Sequence, residues 1–236
     1  MRVVVSIGGS VLAPTLDASH VEAYASIIEE LVEAGCELAA VVGGGGVARQ
    51  YIEVARTMDA NEVQLDQLGI DVTRINARLL IAALGSIVDP KVAETYEDAG
   101  DVIRRGDVAI MGGVMPGQTT DAVAAALAEY IDAELLVYAT SVDGVYDADP
   151  SSGGEARKLE RLSPTELVDI IVPMSRDAGA SAPVDLLAAK LIERAGMRSI
   201  VLDGTDPSRI ATAILTGDHS GTDIVCADDP IALAHW

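Results

Sequence analysis

Three glycine-bearing segments stand where an apolar run gives way to a helical pattern: Gly8-Gly9-Ser10, Gly43 to Gly46, and Gly112-Gly113. Glycine lets backbone N–H groups approach an oxyanion closely, and the helix N-terminus that follows adds a partial positive charge. One such loop is only a tight turn; three on the same edge of one sheet favour a polyphosphate site. Arg49 falls in the first turn after the second loop. A guanidinium there can hold phosphate oxygens bidentately and offset charge that develops as a phosphoryl group moves. Nothing nominates a covalent nucleophile. Cys36 and Cys226 are far apart without CxxC spacing and read as reduced, structural thiols, and His20, His219 and His235 do not cluster and read as surface or structural.

Two familiar phosphate motifs are rivals. Gly43, Gly45 and Ala48 fit G-x-G-x-x-A, with Asp66 at about the distance of a dinucleotide-site acid. However, such an acid ends a buried parallel strand, whereas Asn61 to Asp66 is too polar for one and leads into a helix. The P-loop fails outright, because no G-K-S or G-K-T triplet exists in the chain.

The elements that must position these loops follow from periodicity and punctuation. Strands are expected at Val3 to Ile7, Leu38 to Val42, Ser86 to Val88, Val108 to Met111, Leu135 to Ala139, Ser199 to Leu202 and, at an edge, Ile224 to Cys226. Helices are expected after a Ser19/Glu22 capping box, after the four glycines, over Leu65 to Leu84, around Val92 to Arg104, and over the alanine-rich Thr120 to Ile131. Further helices follow the Ser163-Pro164-Thr165-Glu166 box and cover Val184 to Ala195 and Pro207 to Leu215. Thr140 to about Arg161, rich in Asp, Ser and Gly, reads as an exposed excursion. Strands alternating with helices in one series predict an α/β, three-layer αβα sandwich on a mostly parallel sheet. Ligands then bind beyond the carboxyl ends of the strands.

The chain has 236 residues, enough for one well-buried domain. Its apolar runs fall far short of the roughly 18 to 20 residues that cross a bilayer, and Met1 to Gly8 carries no leader pattern, so a cytoplasmic protein is expected. The net charge of -21, with Lys91, Lys158 and Lys190 the only lysines, argues against nucleic acid and anionic membranes as partners. So acidic a surface suits a salt-rich cytoplasm, where the Debye length shortens to about 3 Å at 1 M. A halophilic source is therefore expected, and the melting temperature should rise between low and molar KCl; a thermal scan that shows no rise refutes this.

The run Thr140-Ser141-Val142-Asp143-Gly144-Val145-Tyr146-Asp147-Ala148-Asp149-Pro150 resembles T-x-V-D-G-V-Y-x-x-D-P, a nucleotide-site signature of the amino-acid-kinase superfamily. The segments I-G-G-S-V, V-V-G-G-G-G-V-A-R, M-G-G-x-x-P-G-x-T-T-D and D-x-x-A-A-K-x-I-x-R-A-G occur in the order seen in archaeal UMP kinases, over nearly the whole chain. The resemblance implies the amino-acid-kinase fold and phosphoryl transfer from ATP to UMP with magnesium (Mg2+), in a homohexamer. It also implies a UMP-binding and oligomerisation lobe over about residues 1–131 and an ATP-binding lobe over about 132–236.

On matching positions, Gly9, Ser10, Gly45, Arg49, Thr140, Tyr146 and Asp149 correspond to the ATP site. Gly44, Asp66 and the loop Val114, Met115, Pro116, Gly117, Gln118, Thr119 and Thr120 correspond to the UMP site. Asp66 matches an acid that accepts from ribose hydroxyls, or else it caps the next helix; Thr119 and Thr120 have helix capping as a competing role. Arg49 and Asp121 are the candidate catalytic residues, Asp121 matching an acid that orients catalytic groups or magnesium, or serving as an ordinary helix-start acid. Metal ligands are not identified.

Many members carry a lysine two residues before the first glycines and another before the late aspartate, where this chain has Ser6 and Pro183. Charge neutralisation is then expected from magnesium, Arg49 and loop N–H groups. Kinases of carboxylates, carbamate or isopentenyl phosphate, and nucleotide-binding storage proteins, share the fold. Asp66, Thr119 and Thr120 together favour the UMP kinase reading.

Overall fold

In the computed structural model, described for residues 1–148, 156–174 and 184–226, the β-branched N-terminal run forms β1 (Arg2–Ile7). Next come α1 (Gly9–Leu12), α2 (Ala18–Glu33), β2 (Glu37–Val42), α3 (Gly45–Thr57) and the long α4 (Glu62–Leu84). A 3-10 turn at Gly85–Ile87 leads to α5 (Tyr96–Arg104), β3 (Ala109–Met111), α6 (Thr120–Tyr130) and β4 (Leu135–Thr140). The remainder is β5 (Val145–Tyr146), β6 (Lys158–Leu159), β7 (Arg161–Leu162), α7 (Pro164–Met174), α8 (Leu186–Ala195), β8 (Ser199–Asp203), α9 (Ser208–Thr216) and β9 (Thr222–Ile224).

The main sheet has the order β3-β2-β1-β4-β8-β9-β7, and β5 pairs with β6 in a separate small ribbon. From β3 to β8 all neighbours are parallel, with Val5 opposite Ala40 on one side and Val137 on the other. Within the main sheet, among the described residues, only the β8–β9 pairing is antiparallel; the separate β5–β6 ribbon is antiparallel too. Because side chains alternate across a strand, each strand feeds two layers. Val4, Val41, Met111, Leu136 and Tyr138 pack with α5, α6, α7 and α8. Val3, Val5, Val42, Ile110 and Val137 pack with α2, α4 and α9 on the opposite face. Both faces are buried, which is why these strands read as continuous apolar runs. The αβα sandwich is therefore as expected, and no described helix is long and apolar enough to cross a membrane.

Four local expectations need correction. Ser19 does not cap α2: Asp17 does, its Oδ1 accepting from the Ser19 N–H at 2.8 Å, since a carboxylate is the stronger acceptor at a positive helix end. Ser86 to Val88 is not a strand; Gly85, at φ +66, turns the chain out of α4 and only Val88 makes a bridge, to Val108. The next helix starts at Tyr96 rather than Val92, because Ala93 is tied to Met111 and Thr95 forms a capping box with Asp98. Finally, β9 covers Thr222–Ile224 and lies inside the sheet; the edge is β7, hidden in the polar excursion after β4.

Candidate functional site

Parallel β1, β2, β3, β4 and β8 bring the segments 8–10, 43–46, 112–119 and 140–148 to one rim of the sheet. The first two touch backbone to backbone. A Cβ on Gly9 would lie 2.2 Å from the Gly45 nitrogen and 2.5 Å from the Gly43 oxygen. One on Gly45, at φ +62, would meet the Gly9 oxygen at 2.5 Å. No side chain fits at either position, so close approach requires glycine at both, and at Gly45 the positive φ favours it as well.

Beside them opens a cavity of about 310 Å3, walled by Gly44, Gly45, Arg49, Asp66, Thr73, Gln118, Thr119 and Thr120, among others. Arg49 is exposed and makes no hydrogen bond or ion pair among the described residues. The helix that carries it begins at Gly44 without a capping side chain. By contrast α2, α4, α5, α6 and α8 all start with one. The first N–H groups of α3 are thus left for a ligand, as are those of α1, whereas the start of α9 is occupied by Asp206, whose Oδ1 accepts from Ser208 N–H at 3.1 Å.

Asp66 points into this cavity and not to the start of α4. That start is capped by Asn61, whose Oδ1 accepts from Gln64 N–H while Gln64 Oε1 accepts from Asn61 N–H. Lying inside a helix, Asp66 cannot be a strand-end dinucleotide acid, so both the capping role and the dinucleotide rival fall. Its Oδ2 accepts from the Gly117 N–H at 2.8 Å, fastening the 114–119 loop over the cavity. Val114, Met115 and Pro116 do not line the wall, and Met115 is exposed. Thr119 caps α6, its Oγ1 accepting from Ala122 N–H at 3.1 Å and donating to the Asp185 carboxylate. Asp185 in turn caps α8 through Leu187 and Ala188 N–H.

Asp121, the second residue of α6, accepts from Ser6 Oγ at 3.0 Å. Burial pushes its carboxyl up to about 7; the Ser6 hydrogen bond offsets part of that, and the Asp185 charge adds to it. Ser6 therefore partners the acid, but as a neutral donor. Pro183 and Asp149 lie outside the described residues.

Thr140, the last residue of β4, and Tyr146, in β5, stand outside this wall. Thr140 Oγ1 accepts from Val142 N–H at 3.0 Å. The Tyr146 hydroxyl donates to Asp143 at 2.8 Å. Lys158 joins them by donating to Asp143 at 3.0 Å and to the Ser220 carbonyl at 2.8 Å. Those hydrogen bonds from Lys158 and Tyr146 hold the Asp143 carboxyl below its usual range. The sequence reading missed Lys158, along with Thr73 and Asn76 of α4. Their signal was polar residues falling in the stripe Ile70, Ala77, Leu80, Leu84 that α4 buries.

A model of the amino acid kinase family matches residues 1–203. A uridylate kinase from Haloquadratum walsbyi is 75% identical over 236 residues, 100% of this chain and 98% of that protein. One from Halobacterium salinarum is 63% identical over the same shares of each chain. These relatives come from halophilic archaea, in keeping with the acidic composition. The crystal structure of uridylate kinase from Archaeoglobus fulgidus matches with a TM-score of 0.86 at 42% identity, over 95% of this chain and 100% of that one. UMP kinase from Bacillus anthracis, at 23% identity and a TM-score of 0.79 over 97% and 96% of the two chains, shares the fold. With a family model spanning most of its length and full-length relatives this similar, the chain belongs to the amino acid kinase family.

Proposed function

We propose that this protein transfers the γ-phosphoryl group of ATP to UMP, giving UDP and ADP for UTP and CTP synthesis. The observation that carries this reading is the single cavity in which Gly44, Gly45, Arg49, Asp66, Thr119 and Thr120 meet at the rim of the sheet. Gly44, Asp66, Gln118, Thr119 and Thr120 hold UMP, with Asp66 accepting from the ribose hydroxyls, and Val114 to Gly117 closing as a loop above it. Gly9, Ser10 and Gly45 hold the ATP phosphates, and Thr140, Tyr146 and Asp149 its adenosine. The UMP-binding lobe is then about residues 1–131 and the lobe that holds the adenosine of ATP about 132–236, with the ATP phosphates reaching across to the glycine loops of the first.

Phosphoryl transfer depends mainly on positioning and electrostatics. Arg49 is the cation of the cavity wall, and the uncapped start of α3 adds N–H donors beside it. Among the described residues no group of three metal-ligating side chains exists. Magnesium would then be carried chiefly by phosphate oxygens and water. When bound with ATP, magnesium neutralises charge on the triphosphate; Arg49 and the glycine N–H groups do so from the protein side. A cytoplasmic homohexamer completes the reading, and the exposed Leu16, Ile75 and Leu79 beside a groove between α2 and α4 are apolar surface that assembly would cover.

A coupled ADP assay in molar KCl with UMP, CMP, aspartate, glutamate and isopentenyl phosphate tests the reading: UMP should be turned over in preference to all others. A carboxylate or isopentenyl phosphate preferred to UMP, or ATP binding without turnover of any, sinks it. Asp66→Ala removes both a ribose acceptor and the Gly117 anchor. Initial rates should show KM for UMP raised about tenfold or more with KM for ATP little changed, the loss expected of a hydrogen bond to a charged group.

A further inference from the structure

The wall of the cavity contains one helix that neither glycine loop belongs to, and that helix bonds to both. Thr73 and Asn76 sit about one turn apart on α4, 6% and 3% exposed. Asn76 Nδ2 donates to the Gly43 carbonyl at 2.9 Å and to the Gly44 carbonyl at 3.3 Å. In a trans peptide the carbonyl and the following N–H point in opposite directions. Turning these two carbonyls toward Asn76 therefore turns the N–H groups of Gly44 and Gly45 away from it, and neither has a partner among the described residues. Thr73 works on the other loop. Its hydroxyl proton is committed to the Ile70 carbonyl at 2.6 Å, which aims an oxygen lone pair at the Gly113 N–H, 2.7 Å away. Arg74 Nε holds the Gly113 carbonyl at 3.2 Å, so the peptide groups on both sides of Gly113 are fixed from α4. The contact is tight: a Cβ on Gly112 would stand 2.6 Å from Thr73 Oγ1.

We infer that Thr73 and Asn76 are positioning residues that set the separation and orientation of the 43–45 and 112–119 loops, and through them of the acceptor phosphate against the donor phosphate. The inference rests on the proposed kinase function for its kinetic consequence and on the hydrogen bonds alone for its structural one. A purely structural polar pair would satisfy groups of the layers it packs between. Instead all three loop atoms bonded by Thr73 and Asn76 belong to glycines of the phosphate-facing turns.

The test compares Thr73→Val, which keeps shape and loses the acceptor, with Thr73→Ser, which keeps the acceptor, and with Asn76→Asp, which sets an acceptor against two carbonyls. Steady-state kinetics, thermal unfolding and peptide-level hydrogen exchange are read in molar KCl. T73V should lose about tenfold or more in kcat, and N76D about 100-fold, with both KM values within about threefold, as misplacement by an ångström or less would produce. Exchange should quicken at 112–119 in T73V and at 43–47 in N76D, with the sheet unaffected, and T73S should recover both readouts. Wild-type kcat in T73V, a T73S as impaired as T73V, or a loss matched by faster exchange across the whole sheet overturns the inference. If the wild-type protein does not phosphorylate UMP, the functional reading falls. Exchange then decides the structural role, and unchanged exchange at 112–119 in T73V overturns it.

Discussion

Arg49→Ala should lower kcat/KM for UMP by about 100- to 1000-fold, on the scale of removing one preorganised donor or an arginine that neutralises a transferring phosphoryl group. The fold should not register the change, because the Arg49 side chain is exposed and has no hydrogen-bonding or ionic partner in the described chain. Its wall neighbours are otherwise neutral apart from the anionic Asp66, and Ser6 supplies no charge from β1. No second cation lines the cavity among the described residues. Arg49→Lys should restore only part of the rate, since a lysine ammonium cannot present the paired donors of a guanidinium. Kinetics with circular dichroism check both points, and an alanine variant with most of its activity refutes the assignment.

Asp121→Asn should have opposite effects on stability and activity. The folded carboxyl titrates near 7, above the usual carboxylate range. Between about pH 4 and pH 7 the native state therefore binds more protons than the unfolded state, and stability falls as pH rises through that window. Above about 7 the full cost is present, at most about 4 kcal/mol from some three pK units. Asparagine carries no such cost and can still accept from Ser6. D121N should thus unfold at a higher denaturant concentration than wild type near pH 8, and show a flatter pH dependence below it. Turnover should nonetheless drop roughly 10- to 100-fold, because the anion beside the rim is gone. A wild-type midpoint that does not decline between about pH 5 and pH 8 while D121N gives the same curve contradicts the buried-acid account.

Much of this arrangement was legible in the sequence because it is written in the backbone's own terms. The runs Val3 to Ile7, Leu38 to Val42 and Leu135 to Ala139 are apolar on both faces, so they had to be buried parallel strands. Once they were parallel, the glycine segments after them had to share a rim. What escaped was cross-chain bonding. Thr73 and Asn76 lie more than 30 residues from the glycines they bond, and in a 23-residue helix a polar residue ordinarily faces water. Lys158 and Asp143 are brought together by the two-residue pairing of β5 with β6, too short to leave a period. Asp17 displaced Ser19 as a cap because both residues suit the position and only their competition decides it.

The hydroxyl of Thr119 and the carboxylate of Asp185 have a consequence reaching past the cavity they border. That one oxygen of Thr119 starts α6 while its proton rests on the residue that starts α8, so two helices are riveted at a single joint. A nucleotide that takes this hydroxyl for itself leaves Asp185 with one donor fewer and slackens the rivet. Asp185 would still cap α8 through Leu187 and Ala188 N–H, so what an occupied pocket would release is the tie between the two helix starts and not either helix itself.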